Sequence, residues 1–329
     1  MHGKYINPFT DFGFKKLFGE EASKKSLMSF LNDLLPITNK ITEITFMKNE
    51  QLGTLEERRK AVYDIFCKDE KGSQFIVEMQ NAKQTYFKDR AVFYSTFPIQ
   101  NQAIKGEWDF KLSNVYCVGL LGFKISPSPD IKEEVIMKTE YLHDVKLKNQ
   151  KNEVFYDKLQ YIFIEFPHFN KTEKELETNS THLEKWLYFM KNLDTLESIP
   201  VILKDEAFAE AFKTAELANM TNIQIEEYES SLKAFRDNIN VIRTAEIEGF
   251  EKGKMEGKSE GLQEGLEKGL QEGLEKGIQE GLEKGLQEGE KAKAIEIAKK
   301  MLIKGKSIDE IIEFTDLSKE EIELLRNSQ

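Results

Sequence analysis

Residues 60–80 read KAVYDIFCKDEKGSQFIVEMQ, and the fold turns on how they are read. Two runs rich in β-branched and aromatic residues, VYDIFC and QFIVEM, flank the turn-forming DEKG, which predicts a β-hairpin. A three-residue loop of Glu70, Lys71 and Gly72, with Gly72 in the left-handed conformation, fixes the register. Lys68 then faces Gln74, Phe66 faces Ile76, and Asp64 faces Glu78. Because side chains alternate along a strand, Glu78 and Gln80 share the face on which Asp64 lies. Two carboxylates meet on one face of a sheet.

Like charges directly opposed on neighbouring strands destabilise a sheet, so the pair calls for a compensating cation. A hard divalent ion suits it. Mg²⁺ takes oxygen ligands and uses only one or two protein carboxylates, leaving positions for water and a substrate phosphate; the Met79 carbonyl offers a third protein oxygen. The competing reading makes Asp64 and Glu78 the wet face of an ordinary hairpin. The flanking residues oppose it, since Val62, Phe66 and Ile76 are expected beside the acids while Tyr63, Ile65, Cys67, Val77 and Met79 cover the other face. Both faces should be buried.

A strand Asp, a hairpin and Glu-x-Gln on the next strand resemble the PD-(D/E)XK nuclease core. More narrowly, the chain resembles the Rpn family of recombination-promoting nucleases, the transposase-like branch of that superfamily. The resemblance rests on NPFTDFGFKKLFG at 7–19, on Asp64 with Glu78, Met79 and Gln80, and on YFKDRAVFY at 86–94, and it spans roughly residues 5–240. It implies an α/β fold: a PD-(D/E)XK-type core with a mixed β-sheet flanked by helices, followed by an α-helical C-terminal region. It also implies a DNA endonuclease that uses Mg²⁺, or Mn²⁺ or Ca²⁺, with Asp64, Glu78 and Gln80 catalytic. Gln80 stands where the superfamily usually has Lys, as in the family's own pattern, and an amide can neither carry the charge nor act as a base.

The 329 residues allow about two structural units, and 40% hydrophobic content with 23 Phe suits a globular protein. No apolar run is long enough for a signal peptide or a membrane span, so a cytoplasmic protein is expected. Cys67 and Cys117 sit in apolar strand-like runs and read as reduced, buried thiols. The four His, at 2, 143, 168 and 182, lack metal-ligand spacing. The net charge of -11 opposes a nucleic-acid partner only until it is divided: residues 1–125 carry +3, residues 126–240 carry -8 and the remainder -6. The one basic segment holds the hairpin, and phosphate contacts need only local cations.

Before the hairpin, Thr10 or Asp11 can cap a helix through FGFKKLF, and a second apolar-periodic run stops at Pro36. Asp11 thus has a plain capping role; in many nucleases resembled by this chain an acid on the first helix joins the metal site, which makes Asp11 a further metal candidate. Lys15 and Lys16 are either phosphate contacts or solvated surface charges. After the hairpin, residues 83–105 read as a helix disturbed at Pro98, with Arg90 and Tyr94 four apart on one face. Arg90, Tyr94 and Lys15 are the candidate substrate-binding residues; the competing role for Arg90 is a surface pair with Asp89 or Glu107. Residues 114–125 are apolar throughout, as in a central strand entered by a crossover, which predicts a parallel pairing. SPSP from 126 and two strand-like runs within 134–167 follow, then helices, one opened by the capping box THLE at 181–184.

Glycine then recurs every fourth residue from 249 to 289, eleven in all, in a unit close to GLQEGLEK. At about 1 kcal/mol per Gly relative to Ala, an isolated helix here is disfavoured by on the order of 10 kcal/mol. Against that stand Leu262, Leu266, Leu270, Leu274, Ile278, Leu282 and Leu286, also every four, beside alternating Glu and Lys. A flexible spacer and a helix stabilised by self-association remain open. Two short capped helices end the chain, SIDE at 307–310 and SKEE at 318–321 opening them, in a pattern resembling a degenerate helix-turn-helix. Its acidity favours a protein partner over DNA. The expected organisation is a nuclease-like domain over 1–240, the repeat over 241–289 and a helical module over 290–329. The expected partners are DNA and a second copy of the chain; the alternative is a non-catalytic DNA-binding or protein-interaction protein on the nuclease fold.

Overall fold

The computed structural model describes residues 3–51, 61–103, 106, 108–125 and 140–327. Lys60 at the start of the hairpin stretch, Glu107 as a partner for Arg90, His2, the SPSP run and the strand-like residues 134–139 lie outside the described residues. The chain divides into two compact units, Met1–Thr244 and Ala245–Gln329.

The first unit opens with α1 (Asp11–Phe18) and α2 (Lys24–Leu34). Thr10 is the N-cap of α1, its Oγ1 accepting from the Gly13 N–H at 3.0 Å, so Asp11 lies in the first helical turn instead of capping it. Among the described residues eight strands follow: β1 (Ile44–Phe46), β2 (Glu50–Gln51), β3 (Ala61–Val62), β4 (Ile65–Asp69), β5 (Gln74–Gln80), β6 (Val115–Leu121), β7 (Leu142–Lys148) and β8 (Val154–Glu165). The helix α3 (Phe87–Gln100) links β5 to β6, with Pro98 inside its last turn. Six strands form one mixed sheet in the order β1-β4-β5-β6-β8-β7, and β2 pairs with β3 separately.

The hairpin register is the one that a left-handed Gly72 dictates. Gly72 has φ 84°, and Phe66 pairs with Ile76 and Lys68 with Gln74. The crossover through α3 makes β5 and β6 parallel, and β6 and β8 are parallel as well. With both faces covered, the central strand β6 is buried at all seven positions, as its unbroken apolar run requires. One face carries Ile65, Cys67, Phe75, Val77, Met79, Val118 and Leu120 against α1, α2, α5 (His182–Asn192) and α6 (Glu206–Ala215). The other carries Phe66, Ile76, Cys117, Leu121 and Phe163 beneath α3. Neither Cys67 nor Cys117 is in a disulfide.

Two hairpin residues depart from strict alternation. Tyr63 packs with Phe66 and Ile76 rather than on the opposite face, and Val62 is 57% exposed rather than buried. The cause is a bend at Asp64 that separates β3 from β4 and resets which way the side chains point. Between β8 and α5 lies α4 (Glu173–Thr178), capped by Thr172. The helix α7 (Asn222–Ile303) runs unbroken through all eleven repeat glycines. The second unit has its own small core, Ala298, Ile311, Leu317 and Ile322, closed by α8 (Ile308–Thr315) and α9 (Lys319–Asn327). Gly305 ends α7 at φ 73°, and Ser307 with Glu310 forms the capping box of α8. Among the described residues no helix is long and apolar enough to cross a membrane.

His182 clamps three helices. Its Nδ1 meets Asp33 on α2, and its Nε2 lies 3.2 Å from Asp205, the N-cap of α6. Chiefly through the Asp33 bond, its pKa is raised above the ordinary histidine value of 6.5. The clamp therefore contributes fully below pH 6.5 and is lost as pH rises through the higher folded value. His182→Gln should lower the melting temperature at pH 5.5 and converge on the parent above the folded pKa. Because the ring is partly solvated, the loss should stay under about 1 kcal/mol. Thermal melts of both proteins from pH 5.5 to 9 give the measurement; a difference that grows with pH would contradict it.

Candidate active site

At the bend before β4 the ladder gives way to side-chain bonds. Asp64 reaches across, its Oδ2 accepting from the Met79 N–H at 2.8 Å, while the Asp64 N–H points to Glu78 Oε1 at 3.4 Å. Asn49 Nδ2 donates to the Asp64 carbonyl at 3.0 Å, steadying the bend from the loop after β1. Asp64 and Glu78 thus come together, with Gln80 on the same face of β5: Gln80 Nε2 donates to Glu78 Oε2 at 3.1 Å.

A line of amides leads from these acids to α3. Gln84 Nε2 is 3.5 Å from Gln80 Oε1, and Arg90 donates to Gln84 Oε1 at 2.9 Å. The guanidinium lies over the Tyr94 ring, 4.8 Å from its centroid, and Tyr94 is held in turn where its carbonyl accepts from the Tyr63 hydroxyl at 3.0 Å. Arg90 therefore faces the acids and not Asp89.

Both carboxyls are raised in pKa. Burial pushes Glu78 up to about 8, reinforced by the charge of Asp64 and opposed by Arg90 and Gln80. Burial also raises Asp64, against the pull of the Met79 N–H, Lys15 and Arg90, and the charge of Asp11 adds to the rise. Lys15 and Asp11 pair with each other at 2.7 Å on the rim, close enough to act on Asp64 electrostatically. Among the described residues no group of three or more His, Cys, Asp or Glu side chains is placed to hold a metal ion, so Asp11 does not join the two acids in a three-carboxylate cluster. A narrow cavity of about 40 Å³ lies beside Glu78 under α3, walled by Tyr94, Cys117, Gly119 and Phe163. Gly119 pairs with Glu78, and a Cβ there would stand 2.8 Å from the Phe163 ring.

Two charged or polar features escape the sequence reading. Gln84 holds Arg90, and only its place between Gln80 and Arg90 hinted at that. Glu165, buried at the end of β8, has His143 Nε2 at 3.0 Å and His168 Nδ1 at 2.9 Å. Neither ring nitrogen makes a hydrogen bond among the described residues, while the Ile125 N–H donates to Glu165 at 3.1 Å. A spacing rule within one segment cannot find residues that a strand pairing brings together.

Residues 8–245 match the family model of the PD-(D/E)XK nuclease family transposases, and residues 291–327 match the C-terminal HTH domain of the Rpn/YhgA-like nuclease family. No curated protein and no solved structure matches the chain.

A carboxyl raised from 4.5 to about 8 subtracts stability as pH rises between those values, because the folded protein holds a proton that the unfolded chain gives up. In metal-free buffer Glu78→Gln should therefore melt higher than the parent at pH 8, by on the order of 2–4 kcal/mol, and about equally at pH 4. Equal melting at both pH values would show that Glu78 carries no such penalty.

Proposed function

We propose, for a chain that belongs to the PD-(D/E)XK nuclease family transposases, that it is a divalent-metal-dependent DNA endonuclease hydrolysing phosphodiester bonds, of the kind that serves recombination or mobile elements. The observation that carries this is the half-buried Asp64–Glu78 pair, two raised carboxyls held face to face by backbone N–H bonds. Two hard oxygen ligands at a desolvated, mutually repelling site fit Mg²⁺, which keeps most of its shell for water and phosphate; Asp64 and Glu78 would hold it, with the Met79 carbonyl a further candidate. When bound, the ion supplies Lewis acidity at the scissile phosphate and an acidified water.

The remaining roles fall to the chain itself. Gln80, tied through its Nε2 to Glu78, positions the attacking water by hydrogen bonding and takes no proton from it. Arg90, fixed by Gln84 and the Tyr94 ring, offers its guanidinium to a substrate phosphate, and Lys15 is a second cation on the rim. Asp11 restrains Lys15 and adds negative charge beside Asp64. An enzyme of this kind, acting on DNA, is expected to work in the cytoplasm.

Nicking of supercoiled plasmid is the direct test. The parent should cut with Mg²⁺ and not with chelator, Asp64→Ala and Glu78→Ala should lose at least a hundredfold in rate while staying folded, and Gln80→Lys should keep or raise it. Mg²⁺ should raise the melting temperature of the parent and not of the two alanine variants. A parent that binds DNA but neither cuts nor responds to Mg²⁺ would favour the non-catalytic binding protein.

The tail is a separate proposal, that the chain self-associates through the repeat and the terminal helices. Its support is the stripe Leu262 to Leu286, each residue more than 60% exposed, beside glycines with open space at every Cβ position. Deleting residues 249–329 should leave the first unit folded and lower the mass found by light scattering. Unchanged mass would remove the proposal.

A further inference from the structure

The acid-bearing face of the hairpin continues past Phe66 and Ile76 to Lys68 and Gln74, about 13 Å along the strand from Asp64. There it forms the floor of an open groove of about 980 Å³ between the hairpin and residues 101–102 and 108–113. Phe66, Lys68 and Gln74 line the floor, and Trp108 and Lys111 line the wall. The wall is built, since the Ser113 N–H donates to Gln102 Oε1 at 2.6 Å and Gln102 Nε2 reaches the Ser113 carbonyl at 3.4 Å.

Trp108 is braced from outside. Phe110 lies against it, ring centroids 4.6 Å apart and planes 34° apart, on a backbone with φ 59°, a conformation that bulky side chains rarely adopt. Strain of this kind costs about 1–3 kcal/mol and is held only where the surroundings enforce it. Among the described residues the groove offers an indole plane and the exposed ammonium groups of Lys68 and Lys111, against one lining carboxylate, Asp109.

An aromatic plane beside cations matches a base beside phosphates. In a stacked duplex the base faces are covered, and an indole inside a concavity cannot reach them. Unpaired nucleotides expose those faces. We propose that this groove binds single-stranded nucleic acid, Trp108 stacking on a base and Lys68 and Lys111 holding phosphates, within about 13 Å of Asp64 and Glu78. Resting on the nuclease reading, the proposal gives it a substrate class: DNA with an unpaired segment next to the cleaved bond.

The test uses the full chain carrying Asp64→Ala, so that binding is read without cleavage. The chain has two Trp, of which Trp186 is wholly buried, so quenching of tryptophan emission reports on Trp108. Oligo-dT should quench the emission and a blunt duplex of the same length should not. Trp108→Ala, and separately Lys68→Glu with Lys111→Glu, should weaken oligo-dT binding at least tenfold by anisotropy, with Trp108→Phe close to the parent. The charge variant should also lower the slope of log affinity against log salt by about 1.4. Equal affinity in all variants, equal quenching by duplex, or equal quenching by poly-glutamate would each overturn the proposal, the last assigning the groove to acidic peptides. A parent that cuts plasmid while groove variants bind oligo-dT undiminished sinks the groove alone; oligo-dT binding without plasmid cutting sinks the nuclease alone.

Discussion

Two carboxylates that repel each other in a desolvated place are the constraint around which the first unit is arranged. Asp64 and Glu78 could separate if the hairpin slipped by one residue, which would turn one of them to the opposite face. The slip is prevented at both ends. Gly72 fixes the loop, and both faces of the sheet are covered by apolar layers, so a slip would carry Asp64 or Glu78 into the layer packed against α1, α2, α5 and α6. The core therefore holds the acids together against their own electrostatics.

Arg90 belongs to the same balance. The superfamily's usual Lys on β5 is replaced here by Gln80, and positive charge reaches the acids from α3 instead, lowering the pKa of both. Its side chain is fixed by a ring and an amide rather than by a carboxylate, so the charge is not neutralised by its own supports. A guanidinium with five donors suits that position, since it can bond Gln84 and still offer donors to oxygen atoms.

The hairpin, its register and the meeting of Asp64 with Glu78 and Gln80 were legible because one glycine and a period of two determine them. The parallel crossover to β6 was legible from an unbroken apolar run. Tyr63 and Val62 were not, because the bend at Asp64 arises from side-chain bonds to β5 that leave no mark on local composition. Asp11 was read as either a cap or a metal ligand, and the structure instead pairs it with Lys15, Thr10 having the better geometry for the cap. Glu165 with its two histidines was invisible for a different reason, since those residues come from a strand, its neighbour and a following turn. The repeat showed the limit of propensity. Summed glycine costs left helix and coil open, whereas the structure is helical throughout residues 222–303.

That helix has a geometric consequence for what it can meet. A residue repeated every four positions advances by about 40° per step, so the six steps from Leu262 to Leu286 sweep about 240° around the axis. Any flat surface laid along the helix touches them over only about a dozen residues, roughly 18 Å, before they turn away. A planar bilayer is thus a poor match for the stripe as a whole. The ridge it forms is inclined about 26° to the axis, and two such ridges align when their helices cross at about 50°. A partner follows the full length only by coiling with it in a right-handed sense, while straight partners engage in short patches. Each unit of the repeat carries the same chemistry, so the number of repeats sets how far around the axis the stripe presents it.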